Sequence, residues 1–403
     1  MRATVYDVAI AGGGPAGAAA AIVLARAGLR VLLADAGGAH RFKIGEGLPP
    51  SARHLLHELG ALDRILADGH RASHGTFAFW GGDTPHANDF MFQLHGHGLQ
   101  LDRKHFDGAM LEHAQASGAE AVRDAKLSLL SPASNAVSHR LQLGTASAEA
   151  IIECRWLIDA TGRPATLARQ LGATRARNDA LLAFHMRLAA QQNSTRADND
   201  QDGRTWVEAV ENGWWYSVLL PSCERLVAFL GDADLVDRRT LLTRDGLWQA
   251  LQDAPHLSEL CREHGYAPAP DSAPHGADAC SSRLDRAADM DVDGKGWLAV
   301  GDAALAFDPL SSKGISNALY TGLRAAHSVL DALRGDREAL PRYDTHLREI
   351  FRVYCEQLAG FHAIETRWPH ATFWKRRQGH GSGNAVIPEA VKVPCPGVIR
   401  SLA

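Results

Sequence analysis

The run Val5-Tyr-Asp-Val-Ala-Ile-Ala-Gly12-Gly-Gly14-Pro-Ala-Gly17 constrains this chain more than any other. It sets an apolar strand, a G-x-G-x-x-G turn and an unbroken helix-forming segment, 18–27, end to end. Gly12 permits the tight turn, Gly14 lets backbone approach a pyrophosphate, and Gly17 lets the helix close on the strand. Pro15 and Ala16 open the helix, whose free N–H groups face the phosphates. A second apolar strand, Arg30-Val-Leu-Leu-Ala34, ends in Asp35, placed to accept ribose hydroxyls. Strand, turn, helix, strand and acid in that order predict an α/β chain with a Rossmann-like dinucleotide-binding start.

Far along the chain, Trp297-Leu-Ala-Val300 reads as a short buried strand. It runs into Gly301-Asp302-Ala-Ala, then Asp308-Pro309-Leu-Ser-Ser312-Lys313-Gly314-Ile315 and a helical pattern through Leu330. An acid just past a strand end, followed by a small-residue turn and another helix N-terminus, suits a second contact to an extended dinucleotide. Asp302 would meet a ribitol or ribose hydroxyl, and the amides near Gly314 a flavin edge. Between them, Trp156-Leu-Ile-Asp159-Ala-Thr-Gly162-Arg163 is another strand running into an acidic glycine turn. Taken singly, Asp159 or Asp302 reads more often as a turn or N-cap aspartate. In this order the three elements resemble the FAD-binding set of the group A flavin monooxygenases and the flavin-dependent halogenases, which makes FAD the expected cofactor.

Composition excludes several classes. The 403 residues are 46% hydrophobic and 22% charged with a net charge of −4, so a globular chain with ample core material is expected and nucleic acid is not an expected partner. Lys375-Arg-Arg377 reads as a solvated helix end. No apolar run approaches the ~18 residues of a membrane span, and the strand at Val5 leaves no room for a signal peptide, so a cytoplasmic location is expected. The six cysteines show no C-x-x-C spacing, and His95-Gly-His97 has no third ligand at a supporting spacing, so no metal site is expected.

The fold expected is interrupted. Residues 1–75, 101–178 and 275–335 form the FAD-binding part, 76–100 and 179–274 a substrate-binding antiparallel sheet, and 336–403 a helical segment and tail. Helix is expected over 51–66 and 102–118, and strands over 76–80, 89–94, 182–188, 205–210, 214–220 and 225–230. The polar stretch 193–204 reads as a loop or hairpin.

A narrower resemblance lies in the middle of the chain. It is carried by Phe42-Lys-Ile-Gly-Glu46-Gly-Leu-Pro-Pro50, Trp80-Gly-Gly-Asp83, His95-Gly-His-Gly98, Leu101-Asp-Arg103-Lys-His-Phe-Asp107, Gly213-Trp-Trp-Tyr-Ser217 and Arg367-Trp-Pro. These resemble the flavoproteins of the LodB and QhpG type, which help mature a tryptophylquinone cofactor by oxygenating a tryptophan in a partner polypeptide. The resemblance implies FAD-dependent hydroxylation of an electron-rich aromatic ring through a flavin 4a-hydroperoxide. Electrons would come from NAD(P)H or a partner flavin reductase. The halogenases are similar in the Gly-Glu-Gly-Leu-Pro and Asp-Pro-Leu-Ser-Ser turns but depend on a lysine after the former; here no lysine occurs between Lys43 and Lys104. Halogenation or hydroxylation of a free small aromatic, and a non-catalytic FAD-containing maturation protein, stand as the alternatives.

Candidate residues follow. Trp80, Trp206, Trp214, Trp215 and Tyr216 offer aromatic walls for an indole or phenol, against the bland reading that strand aromatics are core. Glu46 reads as a flavin-proximal acid or a loop cap. Arg103 reads as a contact to FAD phosphate or ribose, or as a surface ion pair. Lys313 lies beside the expected flavin edge or points to solvent, and His97 is a candidate proton carrier.

Overall fold

The structure is a computed structural model that describes residues 4–37, 42–92, 95–133, 138–190 and 200–378. Most of the polar stretch 193–204 and the tail beyond 378 lie outside the described residues. The opening apolar run forms Thr4–Ala11, flanked in parallel by Val31–Asp35 on one side and Glu149–Asp159 on the other. The sheet continues in parallel to Glu120–Arg123 at one edge and to Gly296–Ala299 towards the other, where Ala288–Met290 closes it antiparallel. Central strands of a parallel sheet are covered on both faces, and accordingly Val8, Ala9, Ile10, Leu32 and Leu33 are wholly buried. Helices Pro15–Arg26 and Gly314–Leu333 cross closely, because a side chain at Gly322 would come within 2.2 Å of the Ala16 carbonyl oxygen.

The second sheet runs Tyr266–Pro268, Leu181–Ala190, Arg225–Asp232, Gly213–Leu219, Thr205–Val210, Gly75–Phe79, His86–Asp89. It is antiparallel except where Thr205–Val210 lies parallel to Gly75–Phe79, Thr76 opposite Thr205. Its two faces carry separate cores. One packs under helices Arg244–Ala250 and Pro255–His264, and the other meets Ile44, Leu310 and the C-terminal helix Thr372–Gln378. Arg225 and Asp200 form an ion pair at 2.8 Å with both side chains fully buried, and Tyr266 donates to the same carboxylate at 3.0 Å. A pair withdrawn from water this completely holds only because further donors satisfy the carboxylate.

Two expected elements differ. The helix expected over 51–66 is split into Arg53–Glu58 and Leu62–Ala67, since Gly60 adopts φ +66 between them. The strand expected over 89–94 ends at Asp89, and the chain turns through Phe90–Phe92. The C-terminal segment forms the long helix Ala339–Ile364 and Thr372–Gln378. Among the described residues no helix is long and apolar enough to cross a membrane, and no metal-ligating cluster occurs.

Candidate functional site

The glycine turn builds an anion cradle. Gly12 sits at φ +111, where a side chain would strike the Ala160 carbonyl oxygen at 2.1 Å, and a side chain at Gly17 would strike the Gly12 carbonyl oxygen at 1.9 Å. These two glycines therefore set helix, strand and the Asp159 turn at contact distance. Gly14 differs, because nothing lies within 4 Å of where its side chain would be. It precedes Pro15 at the helix start, and no side chain caps that end. An uncapped helix N-terminus facing open space has unpaired amides, so the cradle fits a pyrophosphate. Beside it, a cleft of about 390 Å³ is lined by Gly13, Asp35, Lys43, Asp107 and Leu111, so Asp35 borders a space of nucleoside size.

Asp159 faces elsewhere. One oxygen accepts from the amide and hydroxyl of Thr161, and the other from the amides of Leu167 and Ala168 at 2.8 and 2.7 Å. The carboxylate is taken up in building its own turn and capping Thr166–Gln170, which corrects its expected contact to the cofactor. Gly162, at φ +73, completes that turn. The following Arg163, which sequence reasoning passed over, approaches Asp302 at 3.5 Å and donates to the carbonyls of Cys280 and Phe307. Arg175 donates to the carbonyls of Asp302 and Ala303. Two guanidinium groups thus pin the Gly301-Asp302-Ala303 turn, whose half-buried aspartate caps no helix and has its proton affinity raised by burial. Gly301, at φ +57, sits against Ala16 of the first helix, so this acid lies close to the phosphate cradle.

The Asp308-Pro309-Leu-Ser-Ser312-Lys313 turn leads into helix Gly314–Leu333 with Ile315 buried. Asp308 caps the turn by accepting from the Leu310 amide, and burial, reinforced by Asp179, pushes its carboxyl up to about 7. Ser312 is held at φ +50, a conformation non-glycine residues adopt at a cost. Lys313 is half-buried at the helix N-cap position.

The third component is the 43–48 loop. Glu46 is 2% exposed, with the Gly45 amide donating to its carboxylate at 3.1 Å. Burial pushes its carboxyl up to about 7, against the pull of Arg103. Arg103 forms the ion pair that stood as its alternative reading, and its charge also reaches Asp302. Its guanidinium grips Asp107 and donates to the carbonyls of Ile44 and Gly45, so it positions the loop that carries Glu46. Lys43 pairs with the same Asp107 at 3.0 Å. His97 is exposed, bonded to Arg53 and to the Gly98 carbonyl; nothing brings it to Glu46.

Strand alternation divides the five aromatic candidates. Trp80, Trp214 and Tyr216 share a face with Ile44 and Leu310, which come from the Glu46 and Asp308 loops. Trp206 and Trp215 are displaced from that site. They belong to the opposite face, Trp206 against Phe77 at 4.8 Å with its N–H on Asp202, and Trp215 against Phe229 at 5.2 Å. Successive residues of a strand point to opposite faces, so Trp214 and Trp215 cannot line one wall. The Glu46 carboxylate is close enough to Tyr216 to add to the burial that raises its phenol.

Comparison with known proteins places these features in a family. The profile described as FAD binding domain matches residues 5–354. The LodB protein of Marinomonas mediterranea, described as an FAD-dependent oxidoreductase, is 29% identical over 92% of this chain and 96% of its own. Among solved structures, the myxobacterial chondrochloren halogenase CndH superposes with a TM-score of 0.79 at 21% identity, over 93% of this chain and 86% of its own. The peptidyl tryptophan dihydroxylase QhpG superposes with a TM-score of 0.72 at 22% identity, over 93% of this chain and 79% of its own. The two structures speak to the shared fold.

Proposed function

This chain belongs to the FAD-binding-domain family, and from that membership we propose that it is a monooxygenase hydroxylating an electron-rich aromatic ring, a tryptophan side chain within a polypeptide. It is an FAD-dependent enzyme, and FAD when bound supplies the redox chemistry that activates oxygen. Asp35 and Asp302 hold its ribose and ribitol hydroxyls, and the glycine turn holds its pyrophosphate. Gly314 and Ile315 carry the amides for the flavin edge. Tyr216, Trp214 and Trp80 form an aromatic wall that orients the substrate ring and excludes water. The Trp214 indole N–H is buried without a partner among the described residues, which leaves one donor at that wall for a substrate group. Glu46 exchanges a proton at its carboxylate as the ring is oxygenated, a task suited to a carboxyl held near 7.

The observation that carries hydroxylation over halogenation is the pairing of Lys43 with Asp107 at 3.0 Å, on the cleft shared with Asp35. The halogenases that the chain resembles depend on a lysine after the matching turn. Here the nearest one is committed to the nucleotide side, and a buried glutamate faces the aromatic wall instead. The likenesses to the proteins named LodB and QhpG support a polypeptide substrate and a role in maturing a quinone cofactor. Electrons would come from NAD(P)H or a partner reductase.

The test is mass spectrometry of tryptophan-containing polypeptides and free indoles after incubation with the FAD-loaded protein, reductant, oxygen and bromide. A gain of oxygen on a polypeptide is the expected result. Bromine incorporation would replace hydroxylation with halogenation, and oxygen gained by free indoles alone would remove the polypeptide.

A further inference from the structure

The aromatic wall does not stop at the site. Trp214 lies 6.2 Å from Tyr216 between ring centroids, Trp80 lies 6.4 Å from Trp214, Trp374 lies 5.3 Å from Trp80, and Trp368 lies 6.2 Å from Trp374. The first four rings are at least nine-tenths buried, while Trp368 is half-buried and reaches solvent. The series begins where Ile44 and Leu310 join the two loops of the site and ends beyond the long C-terminal helix. A hydrophobic core needs bulk here, but it does not need five oxidisable rings in unbroken contact, when leucine or phenylalanine fills such space without a redox-active ring.

We propose that Tyr216, Trp214, Trp80, Trp374 and Trp368 form an electron relay that carries an oxidising equivalent from the flavin end of the sheet to the protein surface. The indole and phenol rings are the most easily oxidised side chains apart from thiols, and rings in near contact exchange an electron faster than a distant donor can act. The oxidant is of the hydroxyl-radical class, formed together with hydroxide when peroxide released by oxygen reduction without substrate takes one electron from a reduced transition-metal ion in solution. It takes one electron and one proton from the Tyr216 phenol and becomes water. Electrons then step inward, from Trp214 to Tyr216, Trp80 to Trp214, Trp374 to Trp80 and Trp368 to Trp374, and Tyr216 recovers a proton. At the surface a solvent thiol gives Trp368 one electron and releases one proton. The net reaction is hydroxyl radical plus thiol to water plus thiyl radical, with every ring restored.

The surroundings agree with this direction. His362 lies 6.2 Å from both Trp80 and Trp374, and burial keeps its imidazole neutral, with its proton affinity lowered to about 3. The charge of Arg377 reaches the same histidine, but it pairs with Asp232 at 2.6 Å, which offsets it. Arg367 lies over Trp368 at 4.4 Å, but it pairs with Glu365 at 2.7 Å and Asp83 at 3.3 Å, which offset its charge.

Transient absorption of the FAD-loaded protein after a blue-light flash tests the relay, since the excited flavin is itself a one-electron oxidant. The expected result is a tryptophan radical whose decay accelerates with added thiol in the wild type. That thiol dependence should be lost in Trp374→Phe, which interrupts the path, and in Trp368→Phe, which removes its half-exposed end while keeping a ring against the core. Absence of a tryptophan radical in a protein shown to hold FAD, or equal thiol dependence in wild type and both variants, would overturn the proposal. Neither readout requires turnover of a substrate.

Discussion

Replacing Glu46 with glutamine removes a buried ionisation whose weight follows from the structure. The carboxyl is 2% exposed, so solvent screening does not dilute the effect. Its proton affinity rises from the ordinary 4.5 to about 7, chiefly through burial. Between those two pH values the folded chain keeps a proton that the unfolded chain has lost, so stability falls as pH rises and levels off above about 7. At about 1.4 kcal/mol for each tenfold difference in proton affinity, the full penalty is about 3 kcal/mol. Glu46→Gln has no such penalty. Its stability relative to wild type should therefore rise by about 3 kcal/mol between pH 4.5 and pH 8, the gain appearing within that window. Urea unfolding of both FAD-free proteins across this range, followed by tryptophan fluorescence, measures the difference. A pH-independent difference between the two proteins would refute the reasoning, because it would mean that Glu46 is not perturbed by burial. The same substitution should abolish any limb near neutrality in the kcat profile while leaving FAD content unchanged.

Asp302→Ala and Asp35→Ala should each lower the flavin retained through gel filtration, by about tenfold or more in affinity if one hydrogen-bonded hydroxyl is lost with its charge; wild-type flavin content in both would refute the nucleotide assignment. Gly12→Ala should destabilise by more than about 3 kcal/mol, because the added carbon meets the Ala160 carbonyl oxygen at 2.1 Å and φ is +111; a soluble variant with an unchanged melting temperature would contradict the close approach. Arg225→Ala should cost about 3–5 kcal/mol by stranding the buried Asp200 carboxylate, and Arg225→Met paired with Asp200→Leu should cost less than either single change; denaturant midpoints separate these outcomes.

The parts of the site legible in the sequence were those whose role rests on backbone geometry. Gly12 and Gly17 show their purpose because no other residue fits at 2.1 and 1.9 Å from a carbonyl oxygen, and such constraints leave a fixed spacing. Asp159 was not legible in this way. The same acid after the same strand can meet a ligand or the amides of Leu167 and Ala168, and only the path of the following turn decides. Trp206 and Trp215 show a second limit, since one residue of strand phase separates them from the face of Tyr216 and the phase is fixed by pairing of Trp206 with Ser217 and of Trp215 with Phe229. Arg103 left a clue in its i, i+4 spacing to Asp107, which is the pair the structure displays. The Arg225–Asp200 pair had no local sign, because its partners come from a strand and a distant loop.

The parallel pairing of Thr76 with Thr205 sets a schedule for biosynthesis. As the chain leaves the ribosome, Gly75–Phe79 is among the first strands made, yet its partner arrives only after the strand Glu149–Asp159 has emerged. The early strand must wait with an open edge, and the last parallel member of the nucleotide sheet, Gly296–Ala299, comes later still. A chain stopped near residue 180 therefore has one strand paired only with His86–Asp89 and open at its other edge, and one incomplete nucleotide sheet. Contacts of this long range make folding slow and expose edges to aggregation while the partner strands are still to come.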